Sequence, residues 1–326
     1  MESLLSVRDL KTYFHLPSKI VRAVDGVSFD VPKSKVLAVI GESGSGKTIT
    51  SLSIMRLVPP PGKIISGEII LDGEDLMKLT PKEMEKRRGR VMGYIPQDPT
   101  AGLNPIKKVG DQVAEVFRTH LGYSKQKAMD AAVEKIGETG IPDPQIVARA
   151  YPFQLSGGMR QRILIAIALA LEPKLIIADE PTTALDTTIQ AQILELIMQL
   201  INKKKTTMVL ITHDFGIVSH IADYVAIMYA GQIVEQGPMR DIIKNPMHPY
   251  TKGLLESLPK IGSREPLIPI KGSVPDPANY PPGCRFHPRC PYTFAKCLHE
   301  MPELSEVKGS RTVRCHLKGE IPKGGE

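Results

Sequence analysis

The chain has 326 residues, 42% of them hydrophobic and 24% charged, with no tryptophan and a net charge of +7. That length suits about two domain-sized units, and the composition is that of a globular protein rather than a disordered or fibrous one. No charged start followed by an apolar core marks a secretion signal, and the longest apolar run, 163–171, breaks at Glu172-Pro173-Lys174, too short to span a bilayer. The expectation is a soluble protein that would need a partner for any membrane role. The positive charge reads as a solvated lysine-rich surface, as in Lys203-Lys204-Lys205, and not as a nucleic-acid footprint. The basic residues do not interleave with aromatics that could stack on bases.

Residues 4–31 predict two strands, with Leu5 and Val7, then Val27, Phe29 and Val31, alternating with polar or small neighbours. Tyr13 and Phe14 are expected between them, where an aromatic could stack on adenine or simply be core. Residues 36–40, Val-Leu-Ala-Val-Ile, predict a buried strand. Gly41, Glu42, Ser43, Gly44, Ser45, Gly46, Lys47 and Thr48 follow and spell GxxxxGK[ST], a phosphate-binding loop. Its glycines let the backbone curl so that successive N–H groups face phosphate oxygens. The helix that begins there, with Ile49, Leu52 and Met55 at helical spacing, adds a positive N-terminal dipole. Lys47 would reach the β- and γ-phosphates, and the Thr48 hydroxyl would ligate Mg²⁺.

A strand is expected over 67–71, turning at Asp72-Gly73, and another over 90–96 that ends at Gln97, placed to meet a metal or a water. Residues 109–141 turn helical, with Val109, Val113, Val116 and Leu121, then a Ser124 cap before Ala128, Ala132 and Ile136. Ser156-Gly157-Gly158 opens another helix and makes a second helix-start anion site, which makes sense if one of the two serves a neighbouring molecule. Residues 175–180 read as a buried strand ending in Asp179, suited to hold Mg²⁺, and Glu180, suited to act as a general base. A turn reaches Asp186, and Ile189, Ile193, Leu196 and Leu200 mark an amphipathic helix. The strand over 206–212 ends at His213, and 224–235 predicts a hairpin about Ala230-Gly231.

The composition shifts after Leu258, with seven prolines between 259 and 282, and then come the four cysteines, Cys284, Cys290, Cys297 and Cys315. Their intervals lack the short CxxC knuckles of most structural zinc sites and suit a [4Fe–4S] cluster. Zinc, with His287 or His316 joining, is the runner-up, and unligated thiols are the third reading.

The phosphate loop, Gln97, 155–162 (LSGGMRQR), the Asp179-Glu180 strand, Ala184-Leu185-Asp186 and His213 occur in this order at these distances. Together they resemble the ATP-binding subunit of ABC transporters, over roughly residues 4–240. Residues 245–251 (NPMHPYT) and the late cysteines look like the dipeptide/oligopeptide importer branch, which also points to iron–sulfur. The resemblance implies an α/β fold: a P-loop NTPase (RecA-like) core with an antiparallel β subdomain, a helical subdomain and a small cysteine-containing C-terminal extension. The domains would be an ATPase over 1–258, with the helical subdomain at about 100–158, and the proline-rich extension over 259–326.

The resemblance also assigns roles. Phe14, or its neighbour Tyr13, would stack on adenine. Residues 41–48 would be the Walker A motif and Gln97 the Q-loop glutamine. Ser156, Gly157 and Gly158 would bind the γ-phosphate of ATP held by an opposite subunit. Asp179 would be Walker B, Glu180 the catalytic base, Asp186 the D-loop aspartate and His213 the switch histidine. The implied partners are two transmembrane permease subunits, a second ATPase subunit (related chain or self) and, indirectly, an extracytoplasmic substrate-binding protein. The implied location is peripheral, on the cytoplasmic face of the cell membrane. Dipeptides, longer peptides, nickel chelates and oligosaccharides stay open as cargo. A ribosome- or nucleic-acid-acting ATPase of the same superfamily is disfavoured because the chain holds one cassette, and a sensing module is disfavoured by the intact Glu180 and His213.

Overall fold

A computed structural model describes residues 2–183, 185–258, 269–307 and 310–321. The strands in chain order are Ser3–His15 (β1), Ile20–Pro32 (β2), Val36–Ile40 (β3), Gly62–Leu71 (β4), Glu74–Asp75 (β5), Met92–Ile95 (β6), Leu175–Asp179 (β7), Thr207–Thr212 (β8), Tyr224–Tyr229 (β9), Gln232–Pro238 (β10), Ser305–Val307 (β11) and Arg311–Val313 (β12). The helices of eight residues or more are Lys47–Ile54 (α1), Val109–Leu121 (α2), Lys125–Glu138 (α3), Gly157–Leu169 (α4), Thr187–Lys204 (α5) and Pro249–Glu256 (α6). Two compact units emerge. One is built from Leu76–Leu210 with Pro32–Ser34 and the residues up to Leu4. The other is built from Leu5–Val31, Lys35–Asp75 and the described residues from Ile211 onward.

The second unit holds a four-stranded sheet in the order β2-β1-β4-β5. Tyr13 and Phe14 are not between strands, as the sequence reading had them. They lie in β1, opposite Lys63 and Gly62 of an antiparallel β4. An irregularity between Arg8 and Lys11 lets the pairing run on past Gly67, where the expected strand began. The same unit holds the run β11-β12-β10-β9-β3. All five residues of β3 are buried, as its unbroken apolar sequence requires of a strand covered on both faces, and it pairs parallel with β9. The β9–β10 hairpin turns on Ala230 (φ 48) and Gly231 (φ 80), the two positive φ values that a tight hairpin turn needs. β12 pairs antiparallel with β10, Glu235 opposite Val313. The extension therefore contributes two strands, β11 and β12, to this sheet. Residues 259–268 of the connector lie outside the described residues.

The first unit packs α2, α3 and α4 around one cluster. Val109, Val113 and Phe117 meet Ala128, Ala132 and Ile136, closed by Ile163 and Leu164. Each fully buried Val or Leu contributes about 1.5–3 kcal/mol, so this cluster is what holds the helices together. Ser124 accepts from Lys127 N, the expected cap. Leu121 is 43% exposed and drops out of the expected stripe, because Gly122 (φ 65) ends the helix there. On α5 the buried stripe is Ile193, Leu194, Ile197 and Ile201, one residue around from the expected Leu196 and Leu200. β6 and β7 pair in parallel within the order β8-β7-β6. Among the described residues no helix is long and apolar enough to cross a membrane.

Candidate functional site

The phosphate loop connects the buried β3 to α1. A side chain at Gly41 would collide with Met228 O, and one at Gly46 (φ 102) with Ala23 O, so both positions need glycine. Lys47 Nζ donates to Gly41 O (2.8 Å) and Glu42 O (3.1 Å), which closes the loop on itself. Ser45 N donates to Glu42 O (3.2 Å), and the buried Ser45 Oγ has no hydrogen-bond partner among the described residues. Ser43 and Gly44 are exposed at the crest of the loop, Thr48 and Ile49 are half-buried, and Gly44 (φ 78) has open space at its Cα. Turning N–H groups, an ammonium and a hydroxyl at a helix start form a cradle whose donor chemistry fits a polyphosphate with Mg²⁺.

Alternation along β1 sends its two aromatics to opposite faces. Tyr13 OH donates to Asp25 Oδ1 (2.6 Å), and burial together with that bond pushes the phenol up to about 12. Burial alone would raise the Asp25 carboxyl, but bonds from Tyr13 and Arg285 and the Arg285 charge outweigh it and hold it below the usual carboxylate value. Phe14 lies half-exposed, its ring against Gly62. His213 is exposed just past β8, and Asp214 caps the short helix that follows, accepting from Ile217 N (3.1 Å).

In the first unit, β7 delivers its two carboxylates to different surroundings. Asp179 is 1% exposed and accepts from Tyr94 OH (3.0 Å). Glu180 has left the strand at φ 45, a left-handed conformation uncommon for a glutamate. Its Oε2 accepts from Gln97 Nε2 (3.3 Å) and Thr183 Oγ1 (2.9 Å), so Gln97 and the second carboxylate are brought together. Ser156 caps α4, accepting from Met159 N (3.3 Å), and Ser156 and Gly157 are exposed. A methyl at Gly158 would press on Ile189 of α5, whose N-cap is Asp186, bonded to Ile189 N (3.1 Å). Ala184 lies outside the described residues.

The four cysteines converge. Burial pushes Cys284 up to about 11 and Cys315 up to about 12; Cys297 and Cys290 add to the first shift, and all three other thiols add to the second. Cys284 N donates to Cys297 O (2.9 Å). Yet among the described residues no group of three or more His, Cys, Asp or Glu is arranged to hold a metal ion. The donors suit iron or zinc, but they are not set as a coordination shell. The two histidines named for zinc each engage a carbonyl instead, His287 Nδ1 with Cys284 O and His316 Nε2 with Glu300 O, both at 2.9 Å.

Sequence reasoning missed the contacts that tie this segment to the phosphate loop's unit. Arg285 donates to Ala230 O (2.6 Å) and pairs with Asp25. Arg289 Nη1 donates to both oxygens of Glu42 (3.1 and 3.1 Å). Arg314 donates to Ile233 O (3.1 Å) and Pro302 O (3.2 Å). A signal was present: an arginine adjoins three of the four cysteines. Below the loop, Tyr229, Tyr250 and Phe286 form a buried aromatic cluster with ring centroids 4.7–5.4 Å apart. His248, fully buried and pushed down to about 3 by burial, is neutral and accepts Tyr250 N on Nδ1 (3.0 Å).

Residues 24–183 match the family model described as ABC transporter, and residues 234–297 match that of the oligopeptide/dipeptide transporter, C-terminal region. The chain is 50% identical over 319 residues to the oligopeptide transport ATP-binding protein AppD of Bacillus subtilis, covering 97% of each. It is 43% identical over 315 residues to the dipeptide transport ATP-binding protein DppD of Escherichia coli, covering 96% of each. Among solved structures it is similar to the dimeric ATP-binding cassette MJ0796 in a post-hydrolysis state bound to ADP and Pi, at a TM-score of 0.64 and 25% identity, covering 72% of this chain and 99% of that one.

Proposed function

The chain belongs to the ABC transporter ATP-binding family, and from that premise we propose that it is the ATP-hydrolysing subunit that drives uptake of dipeptides or oligopeptides. One observation carries the reading. The likeness to peptide-transport ATP-binding proteins spans 97% of the chain, so it takes in the C-terminal extension as well as the cassette. The proposed layout is an ATPase over 1–258 and an extension over 259–326. The partners are two transmembrane permease subunits, a second ATPase subunit and, indirectly, an extracytoplasmic substrate-binding protein. The chain would sit peripherally on the cytoplasmic membrane face.

In this reading Phe14 stacks on adenine, since the Tyr13 hydroxyl is already committed to Asp25. The N–H groups of residues 41–48 and the Lys47 ammonium hold the phosphates. Thr48 and Asp179 would each be a ligand of Mg²⁺, which when bound would offset phosphate charge. Tyr94 fixes the orientation of Asp179. Glu180 accepts a proton from the attacking water as the water oxygen bonds to the γ-phosphorus. The bond to the β-phosphate oxygen breaks, leaving ADP and inorganic phosphate. Gln97 and Thr183 hold the Glu180 carboxylate for that role, and His213 would be the switch histidine. Ser156, Gly157 and Gly158 at the start of α4, the first two exposed, bind the γ-phosphate held by an opposite subunit, so two cassettes close head to tail on ATP, and Asp186 lines that junction. ATP stabilises the closed pair because its phosphates make contacts found only there.

The four cysteines are proposed to hold a [4Fe–4S] cluster, with zinc as the runner-up, supported by the mutual electrostatic influence of the four thiols, of which Cys297 is buried and the others half-buried. The cluster would supply a cross-link within the extension rather than redox chemistry.

The test is Glu180→Gln in the assembled importer. MgATP binding should persist while turnover falls about 10²–10⁴-fold, the usual contribution of a general base. Near-normal hydrolysis would remove Glu180 from the role, and Lys47→Ala should lose nucleotide binding itself.

A further inference from the structure

Glu42 is an odd residue to find in a phosphate cradle. Its carboxylate sits one residue into the loop that is read as the binder of a polyanion. The structure shows how that charge is managed. Arg289, its side chain only 5% exposed, places Nη1 3.1 Å from each Glu42 oxygen. The rest of the guanidinium is fixed from behind, with Nε donating to Lys271 O (3.0 Å) and Nη2 to Ile270 O (3.3 Å). Its plane also lies near the Tyr229 ring, 5.7 Å from the centroid. The Glu42 backbone is held as well, its N–H donating to Tyr250 OH (3.1 Å). Tyr250 is itself set by a chain of bonds. Its N–H goes to His248 Nδ1, His248 N donates to Glu235 Oε2 (2.9 Å), and Arg311 of β12 donates to Glu235 Oε1 (2.6 Å). Every group in this relay lies outside the nucleotide motifs, and most of it lies beyond residue 234.

We infer that Tyr250 and Arg289 are positioning residues of the nucleotide site. Tyr250 fixes the Glu42 backbone, and Arg289 cancels the Glu42 charge and turns it away from the phosphates. The inference rests on the reading of residues 41–48 as the ATP-binding loop. It goes beyond that reading, because it makes the C-terminal segment part of the wall that shapes the loop. The physical reason is one of sign. An unneutralised carboxylate beside a triphosphate disfavours binding, whereas a carboxylate spent on a buried guanidinium does not, and it braces the first turn of the loop. The carboxylate also explains the arginine, since a guanidinium this buried needs an anionic or carbonyl acceptor for each of its faces.

The experiment compares the full chain and four variants for binding of Mg²⁺ with ATPγS by titration calorimetry, and for KM and kcat of ATP hydrolysis in the assembled importer. Arg289→Gln should weaken nucleotide binding and raise KM about tenfold, the scale of one charge-assisted buried contact, with kcat unchanged. Glu42→Gln in the Arg289→Gln background should restore affinity to within about twofold, because the uncompensated charge is gone. A residue that only held the fold together would not be rescued in this way. Tyr250→Phe keeps the buried ring and removes only the hydroxyl, which meets both the Glu42 backbone and its side chain, so it tests the Tyr250 arm even if Arg289→Gln folds poorly; it should weaken binding by about threefold to tenfold. Lys47→Ala separates the two levels of reasoning. If Lys47→Ala loses binding while Arg289→Gln and Tyr250→Phe bind like the parent, the inference is overturned and the loop reading stands. If Lys47→Ala binds like the parent, the loop reading fails and the inference with it. A loss in Arg289→Gln that Glu42→Gln does not repair also overturns the charge argument.

Discussion

Arg311→Met should destabilise the protein by about 3 kcal/mol, and the figure follows from the contacts around Glu235. Glu235 is 0% exposed and the Arg311 side chain 4%. The carboxylate accepts from Arg311 Nη2 (2.6 Å), Met247 N (2.9 Å) and His248 N (2.9 Å). Arg311 Nη2 also donates to Asn245 O (2.6 Å). Methionine keeps most of the aliphatic stem and removes the charge. Glu235 keeps its two amide donors but stays buried without a countercharge, which costs about 3–5 kcal/mol when one partner of such a pair is removed. One term works the other way: Arg311 Nε is buried with no hydrogen-bond partner among the described residues, and its removal returns about 1 kcal/mol. Urea unfolding of the full chain is the assay. With a slope of about 2 kcal/mol/M, the midpoint should fall by about 1.5 M. Adding Glu235→Gln should recover most of the loss, since removing both charges of a buried pair is often near neutral. A single variant within about 0.5 M of the parent would refute the reasoning.

Two further predictions concern the motifs. Ser156→Arg should abolish the closed ATP-bound pair formed with a Glu180→Gln partner, seen by size-exclusion chromatography, while the chain still binds ATP through its own loop. Loss of ATP binding by the isolated Ser156→Arg chain would contradict head-to-tail pairing. Anaerobically purified protein should be brown and carry iron and labile sulfide, and Cys284→Ser or Cys315→Ser should remove both. Colourless protein with stoichiometric zinc would favour the runner-up, and metal-free protein with unchanged protease resistance beyond residue 258 would refute both.

The elements nearest the motifs were legible because local chemistry decides them. The all-apolar β3, the Ser124 cap and the hairpin at Ala230-Gly231 each follow from a few neighbouring residues, and the structure has them where the residues put them. The run of β1 through Tyr13 and Phe14 was not legible, since it depends on the register with β4 fifty residues on. The stripe on α5 was off by one position for a similar reason: Leu196 and Leu200 match the helical period as well as Ile197 and Ile201 do, and only the packing chooses. The extension was hardest to read. Its prolines and its four cysteines were visible in the sequence, but its partners were not. In the structure Phe286, Cys297 and Val313 are buried, and Arg289 meets Glu42 across 247 positions of sequence. Sequence distance carries no information about such a pair; the arginines beside the cysteines did.

The pairing of β12 onto β10 has a consequence for any shortened version of this chain. A strand at the rim of a sheet offers a row of open amide and carbonyl groups to other chains, and proteins keep such rims short or covered. Here the rim is β11, three residues long, with β12 between it and β10. Ending the chain at residue 258 would uncover β10, a strand of seven residues with Ile233 and Val234 buried along it. The product would be a cassette with a sticky, hydrophobic margin that recruits its own copies. The last fifth of the sequence thus acts as the selvedge of the fold, the woven border that keeps the sheet from fraying into its neighbours.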